Sequence, residues 1–319
     1  MTLQQRELVH QILRDAPFDL GGDVEAQRPL LEQMLTSQPL PEDVRVKDGE
    51  LGGVPVVFVD IDGVNPRGTL LHLHGGGFAI GSARGSVGLA SAIARKTGLR
   101  AVAVDYRLAP EHPYPSALED VTATYRALVA QTGGADSIVV SGESAGGNLA
   151  VELLLVARGE ELPLPRASIL FSPMTDLTVA GASFAGKADA DPNITAAAIS
   201  RRVHDYLDGT GTPADDPWVS PVFADLRGLP PLLIQAGSHE VLLDDATRLA
   251  VKAAADDVAV VLDVTPGVPH VFQAFAGLLE EGEAALDRAG RFVTDRLSSS
   301  FVDHSTGALL LSTPGTHLA

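Results

Sequence analysis

Short β-branched runs alternate with longer stretches of helical periodicity along most of this chain, and no other feature narrows its possible folds as far. The strand candidates are Val54–Ile61, Gly68–Leu73, Arg100–Val104, Ser137–Ser141, Ala167–Phe171, Pro231–Ala236 and Val258–Val264. Between most of them lie Ala- and Leu-rich helical patterns at Ser86–Thr97, Ser116–Thr132, Ala145–Arg158, Val241–Asp256 and Phe272–Ser298. Alternation of this kind predicts an α/β fold with a mostly parallel central sheet and helices on both faces. Ile138-Val139-Val140 and Leu232-Leu233-Ile234 are continuous apolar runs, as strands covered on both sides require. With 319 residues, 45% of them apolar, the chain has material for the core of a single large domain.

Three segments break the alternation. Residues 1–50 show two helical patterns before any clear strand, and residues 178–222 form a long insertion with one predicted helix at Ile194–Leu207. A structureless loop of that length inside a compact domain points to a lid or binding element, so the two segments together are expected to build a helical cap. Residues 298–319 have no strong period and are expected to form a loose C-terminal tail.

Composition removes several classes of function. The chain has no cysteine, which excludes disulfides, thiolate metal sites and a cysteine nucleophile. Its 23 basic and 41 acidic residues leave a net charge of −18, which repels a phosphate backbone, so no nucleic-acid partner is expected. No apolar run approaches the ~18 residues of a membrane span. The N-terminus lacks a basic segment followed by an apolar one, so a cytoplasmic location is expected. No His-rich ligand spacing is present, and neither a metal nor a cofactor is expected.

The strongest local signal is Gly142-Glu143-Ser144-Ala145-Gly146, after a predicted strand and opening a predicted helix. A G-x-S-x-G turn in that context is a nucleophile elbow: small residues allow the tight turn, and the Ala145 N–H points where an oxyanion would develop. Alone, the pentapeptide fits equally well a glycine-rich turn in which Ser144 caps a helix. A second signal, His74-Gly75-Gly76-Gly77-Phe78, follows the strand Gly68–Leu73 and tips the balance. Consecutive glycines leave backbone N–H groups free to converge on an anion. Gly76, Gly77 and Ala145 are therefore the candidate oxyanion-hole donors, with His74 holding the loop.

A serine hydroxyl needs a base, and the base an orienting acid. In this arrangement they follow the serine in the order acid, then histidine. Of nine histidines, His10, His304 and His317 lie in terminal segments, His72, His74 and His112 precede the serine, and His204 sits in the insertion. Of the remaining two, His270 follows the strand Val258–Val264 through a Pro- and Gly-containing loop and is the better base than His239. The acid should follow the strand Pro231–Ala236, where Glu240 comes first and Asp244 one helical turn later. Glu240 is favoured by its position just past the strand end, and Asp244 stays open as the alternative. The competing role of Asp244 and Asp245 is to stabilise a helix N-terminus.

Together these residues resemble the bacterial hormone-sensitive-lipase-like esterases, family IV of the α/β-hydrolase fold. The resemblance runs through His74–Phe78, Asp105–Pro115, Gly142–Gly147, Asp191-Pro192, Val219–Pro221, Leu229–Leu232 and Gly267–His270, and covers about Val54 to Leu297. It implies a helical cap from residues 1–50 and 178–222, the same oxyanion donors, and a bracing role for Asp105–Pro115. Two positions depart from the family pattern: Glu143 stands where the family usually has Asp before the nucleophile, and Glu240 replaces the first Asp of an Asp-x-Leu-x-Asp loop. Asp225–Pro231 is similar to the branch that contains lactone and acetyl-ester hydrolases.

The expected function is therefore a serine carboxylic-ester hydrolase working through an acyl-enzyme on a small-molecule ester, as a monomer or homodimer. Phe78, Phe184, Trp218 and Phe272 lie near predicted loops or cap and are expected mainly in the core. A capped site with few large aromatics favours short- to medium-chain acyl groups. An amidase or deacetylase would use the same triad on another leaving group. A ligand-binding receptor on the same scaffold is the competing class, against which the intact Ser144 and His270 argue.

Overall fold

A computed structural model describes residues 2–298; the tail expected over residues 298–319 lies, beyond Ser298, outside them. In chain order the strands are β1 (Val44–Leu51), β2 (Val54–Ile61), β3 (Thr69–Leu73), β4 (Arg100–Val104), β5 (Ile138–Glu143), β6 (Ala167–Phe171), β7 (Leu232–Gly237) and β8 (Val260–Thr265). The helices are α1 (Thr2–Arg14), α2 (Val24–Leu35), α3 (Val87–Thr97), α4 (Ser116–Thr132), α5 (Ala145–Gly159), α6 (Ser183–Gly186), α7 (Ala196–Leu207), α8 (Leu243–Ala255) and α9 (Glu280–Ser298).

The eight strands form one sheet in the order β1-β2-β4-β3-β5-β6-β7-β8. β2 runs antiparallel to both β1 and β4, while β4, β3, β5, β6, β7 and β8 pair in parallel. Every residue of β6 and β7 is buried, which is why β7 opens on the unbroken apolar run Leu232-Leu233-Ile234. Two hydrophobic clusters cover the sheet. One packs α4, α5 and α8 with parts of α2 and α7, and the other packs α3 and α9. The expected α/β architecture is thus present.

Two expectations about the irregular segments need correction. Within residues 1–50 the stretch Val44–Leu51 is an edge strand of the main sheet, not part of a helical cap. Its Arg45, Lys47, Asp48 and Glu50 hide the strand pattern, because an edge strand facing water tolerates charge and needs no apolar alternation. The last helical pattern, Phe272–Ser298, divides into a 3-10 turn at Phe272–Phe275 and α9 from Glu280. The insertion holds α7, close to the helix expected at Ile194–Leu207, and also the short α6; α7 is capped by Thr195, whose side chain accepts from the Ala198 N–H. Helix α1 packs Val9 and Leu13 against Val268 and Phe272, beside the chain that leads away from β8. Among the described residues no helix is long and apolar enough to cross a membrane.

Candidate active site

Parallel strands leave their C-terminal ends on one edge of the sheet, and the candidate residues gather there. Pairing of Glu143 with Phe171, Phe171 with Gln235, and Gly237 with Thr265 lines up the ends of β5, β6, β7 and β8 in that order. Ser144 leaves β5 with φ 54° and ψ −120°, a conformation that strains any residue with a Cβ. The turn closes only because its glycines have no side chain. A Cβ on Gly142 would run into the Gly146 carbonyl, and one on Gly146 into the Leu73 carbonyl. Hydrogen bonds hold the strained serine from both sides: its N–H donates to Phe171 O at 3.0 Å, and its carbonyl accepts from Gly147, Asn148 and Met174 N–H at 3.0–3.2 Å.

The glycine loop lies against this elbow. A Cβ on Gly75 would be 3.2 Å from Ser144 Cβ, so the loop passes at van der Waals distance. Gly76 and Gly77 have φ of 106° and 61°, which glycine adopts freely. Among the described residues, the N–H groups of Gly76, Gly77 and Ala145 donate to no other group. Unspent backbone amides of this kind favour negative charge, and Ala145 directly follows Ser144. His74 is buried beneath it, stacked on Tyr106 at 4.1 Å, while the Tyr106 hydroxyl donates to His74 O at 2.7 Å. Asp105 accepts the Ala83 N–H at 2.9 Å and Ala109 N–H donates to Phe78 O at 2.9 Å, so the Asp105–Pro115 stretch braces the loop.

Glu143 is also part of this brace. Its Oε1 accepts from Gly75 N–H at 3.3 Å, its Oε2 lies 3.0 Å from His72 Nε2, and His72 Nδ1 is 2.9 Å from Ser141 Oγ. Burial pushes the Glu143 carboxyl up, but the His72 imidazole and the Gly75 amide outweigh it and hold it below the usual range.

His270 and the acid arrive on two interlaced loops. Gly267 N–H donates to Ser238 Oγ at 2.8 Å and His239 N–H to Val268 O at 3.1 Å. Val271 N–H donates to Ser172 Oγ at 3.1 Å, which ties the histidine loop to the end of β6, beside the elbow. His270 Nδ1 is 3.1 Å from Glu240 Oε2. The Glu240 side chain is 0% exposed and that of His270 11%, so the carboxylate is sealed while the imidazole keeps a small exposed area. Asp244, the alternative acid, points elsewhere and accepts the Ser183 N–H at 2.9 Å. Nor does Asp245 simply serve its helix end: it is buried and accepts the Thr175 and Asp176 N–H groups at 2.7 and 2.9 Å. No hydrogen bond joins Ser144 to His270 among the described residues, as is common before substrate binds.

Sequence reasoning missed several supporting side chains. Asp191 Oδ2 accepts the Val241 N–H at 2.9 Å, so the insertion braces the acid loop. Asn148 Nδ2 donates to Met174 O at 2.7 Å and Val219 O at 2.9 Å, tying the serine's helix to the insertion. Asp191-Pro192 and Val219–Pro221 stood out as motifs, but their partners are 50 or more residues away and leave no local pattern. Phe78, Phe184 and Phe272 are in the core as expected, whereas Trp218 is 46% exposed.

Comparison with known proteins agrees with this fold. A family model described as the alpha/beta hydrolase fold matches residues 70–274. The chain is 35% identical to an esterase of Acinetobacter venetianus over 278 residues, 87% of this chain and 91% of that one. It is 35% identical to an acetyl-hydrolase of Streptomyces hygroscopicus over 297 residues, 92% and 97% of the two chains. The crystal structure of an esterase from the bacterial hormone-sensitive lipase family superposes with a TM-score of 0.88 at 38% identity, covering 92% of this chain and 98% of the other.

Proposed function

The chain belongs to the bacterial hormone-sensitive-lipase-like esterases of the α/β-hydrolase fold and is a carboxylic-ester hydrolase, and on that premise we propose that Ser144, His270 and Glu240 are its triad. The Gly76, Gly77 and Ala145 amides are the oxyanion donors. The observation that carries this reading is the strained Ser144, φ 54°, seated beside three amides that have no other partner.

The chemistry follows in two halves. His270 Nε2 takes the Ser144 proton as Oγ bonds to the ester carbonyl carbon, and the carbonyl oxygen becomes an oxyanion held by the three N–H groups. Glu240 keeps the Nδ1 proton in place and stabilises the imidazolium, 3.1 Å away. The C–O bond to the alcohol breaks as His270 gives its proton to the leaving oxygen. Water then repeats the sequence on the acyl-enzyme and frees the acid and Ser144.

Short- to medium-chain acyl esters, with acetyl esters and lactones among them, are the proposed substrates. This rests on the acetyl-hydrolase relative and on a cap built from α1, α2 and residues 178–222, which limits chain length. A cytoplasmic monomer or homodimer is part of the same proposal, checked by fractionation and light scattering.

Initial rates on p-nitrophenyl esters from acetate to palmitate, beside Ser144→Ala, test the reading. We expect turnover to peak at short chains and to fall on the order of 10⁴-fold or more in the variant. Near-wild-type turnover by Ser144→Ala removes the mechanism, and faster hydrolysis of palmitate than butyrate removes the substrate class.

A further inference from the structure

Arg202 heads the fully buried side chains by size, although a guanidinium is costly to take out of water. Its Nη2 donates to Gly22 O at 2.9 Å and lies 2.8 Å from Asp205 Oδ2. Nε and Nη1 have no hydrogen-bond partner among the described residues. Burial lowers the Arg202 pKa and Asp205 opposes that shift, so charge pairing compensates the burial only in part. The uncompensated head group contrasts with a tightly packed stem. A Cβ built on Gly77 would fall 2.5 Å from Arg202 Cγ, 2.7 Å from Cβ and 3.2 Å from Cδ. The stem therefore occupies the space that a side chain at position 77 would need.

Neighbouring contacts extend this clamp. Tyr206, one turn after Arg202 on α7, stacks on Phe78 with centroids 3.9 Å apart. From the other side, Arg28 of α2 donates its Nε–H to Ala79 O at 2.9 Å. Gly21 lies on α7 as well, since a Cβ there would be 3.1 Å from Ala198 Cα. The loop 75–80 is thus held between two elements that are far apart in sequence.

We propose that the methylene stem of Arg202, seated on Gly77 and anchored through Nη2 to Gly22, is a positioning element for the oxyanion loop, keeping the Gly77 amide aimed beside Ser144. The proposal rests on the assignment of that amide to the oxyanion hole and adds the residue that aims it. A glycine at φ 61° is free to rotate, and in the loop no side chain of its own restrains it. The guanidinium secures the stem at its far end, which accounts for a buried cation whose own bonds are incomplete. Because Arg202 is on α7 and Gly22 precedes α2, the aim of this amide depends on both helices being docked.

The test separates stem from charge. Loss of an oxyanion donor costs ~10²–10³-fold in kcat, and misdirection of one a part of that. Arg202→Ala is expected to lower kcat about 10- to 100-fold on p-nitrophenyl butyrate with KM within about threefold. Arg202→Met, which keeps an unbranched stem but loses the Gly22 anchor, is expected to recover kcat in part, to about three- to tenfold below wild type. Affinity for butylboronic acid, whose adduct with Ser144 places an oxygen in the hole, should fall with kcat. Inhibition by butyrate, the product, should not change. If Arg202→Ala fails to fold, Arg202→Val carries the same expectation with a smaller cavity. Unchanged kcat in the shortened variants, or Arg202→Met no better than Arg202→Ala, overturns the proposal. If wild type binds the boronate no more tightly than butyrate, the oxyanion assignment itself is at fault, whatever Arg202 does.

Discussion

Replacing Glu240 with aspartate shortens its side chain by one methylene, and the structure calls for a large loss of activity. The acid loop is held from several sides: Val241 N–H by Asp191, the Val241 carbonyl by Ser183 Oγ at 2.5 Å, and His239 N–H by Val268 O. It cannot follow the shortened side chain. Removing one methylene draws the carboxylate back by about 1.5 Å, so the 3.1 Å contact with His270 Nδ1 opens to roughly 4.6 Å. At an effective dielectric of ~20, attraction for the imidazolium falls from 332/(20 × 3.1), about 5 kcal/mol, to 332/(20 × 4.6), about 4 kcal/mol. Unrounded, that difference is ~2 kcal/mol, and a charge-assisted hydrogen bond worth ~1.5–3 kcal/mol is lost as well. Since the two overlap, we expect ~2–4 kcal/mol in the transition state, a 30- to 1000-fold drop in kcat/KM. Glu240→Gln keeps the length but removes the charge and the tautomer control, and should cost about 10⁴-fold. Asp244→Asn, whose carboxylate serves Ser183, should stay within about threefold of wild type. Steady-state kinetics on p-nitrophenyl butyrate, with folding checked by circular dichroism, decide the matter. Full activity in Glu240→Asp, or a deeper loss in Asp244→Asn than in Glu240→Gln, would refute the argument.

Two further expectations concern stability. Gly146→Ala puts a methyl into the Leu73 and His74 carbonyls and should cost about 3 kcal/mol or prevent folding, whereas Gly159→Ala, with nothing within 4 Å of the new methyl, should be neutral or gain up to ~1 kcal/mol; urea unfolding compares them. Burial pushes the Asp245 carboxyl from an ordinary 3.8 up to about 7. A raised pKa in the folded state means that the proton is held more tightly there, so this contribution is complete below about pH 4 and is lost as pH rises through 7. Asp245→Asn should therefore lose less stability than wild type between pH 4 and pH 8, and equal losses in the two urea titrations would contradict the assignment.

Local patterns carried far into this protein. The elbow and the glycine loop were legible because a backbone that must turn at φ 54° or expose its amides needs glycines at set spacings. The parallel core strands were legible because burial on both faces demands unbroken apolar runs. β1 was not, since an edge strand facing water carries no such demand. The acid was narrowed to Glu240 or Asp244, both just past β7.

Side-chain direction separated the two, and direction is a property of the assembled loops. Glu240 turns toward His270, while Asp244 is taken up by Ser183 from 61 residues away. The same holds for Arg202 on Gly77 and Asp191 on Val241: each pairing closes a long loop, and the chain near either partner is indifferent to the other. The sequence by itself determined the α/β order and singled out the candidate serine, histidine and glycines, because sterics and burial act within a few residues. Tertiary structure alone decided which carboxylate meets His270 and which distant side chain presses on the glycine loop, because those contacts exist only once distant segments have packed together.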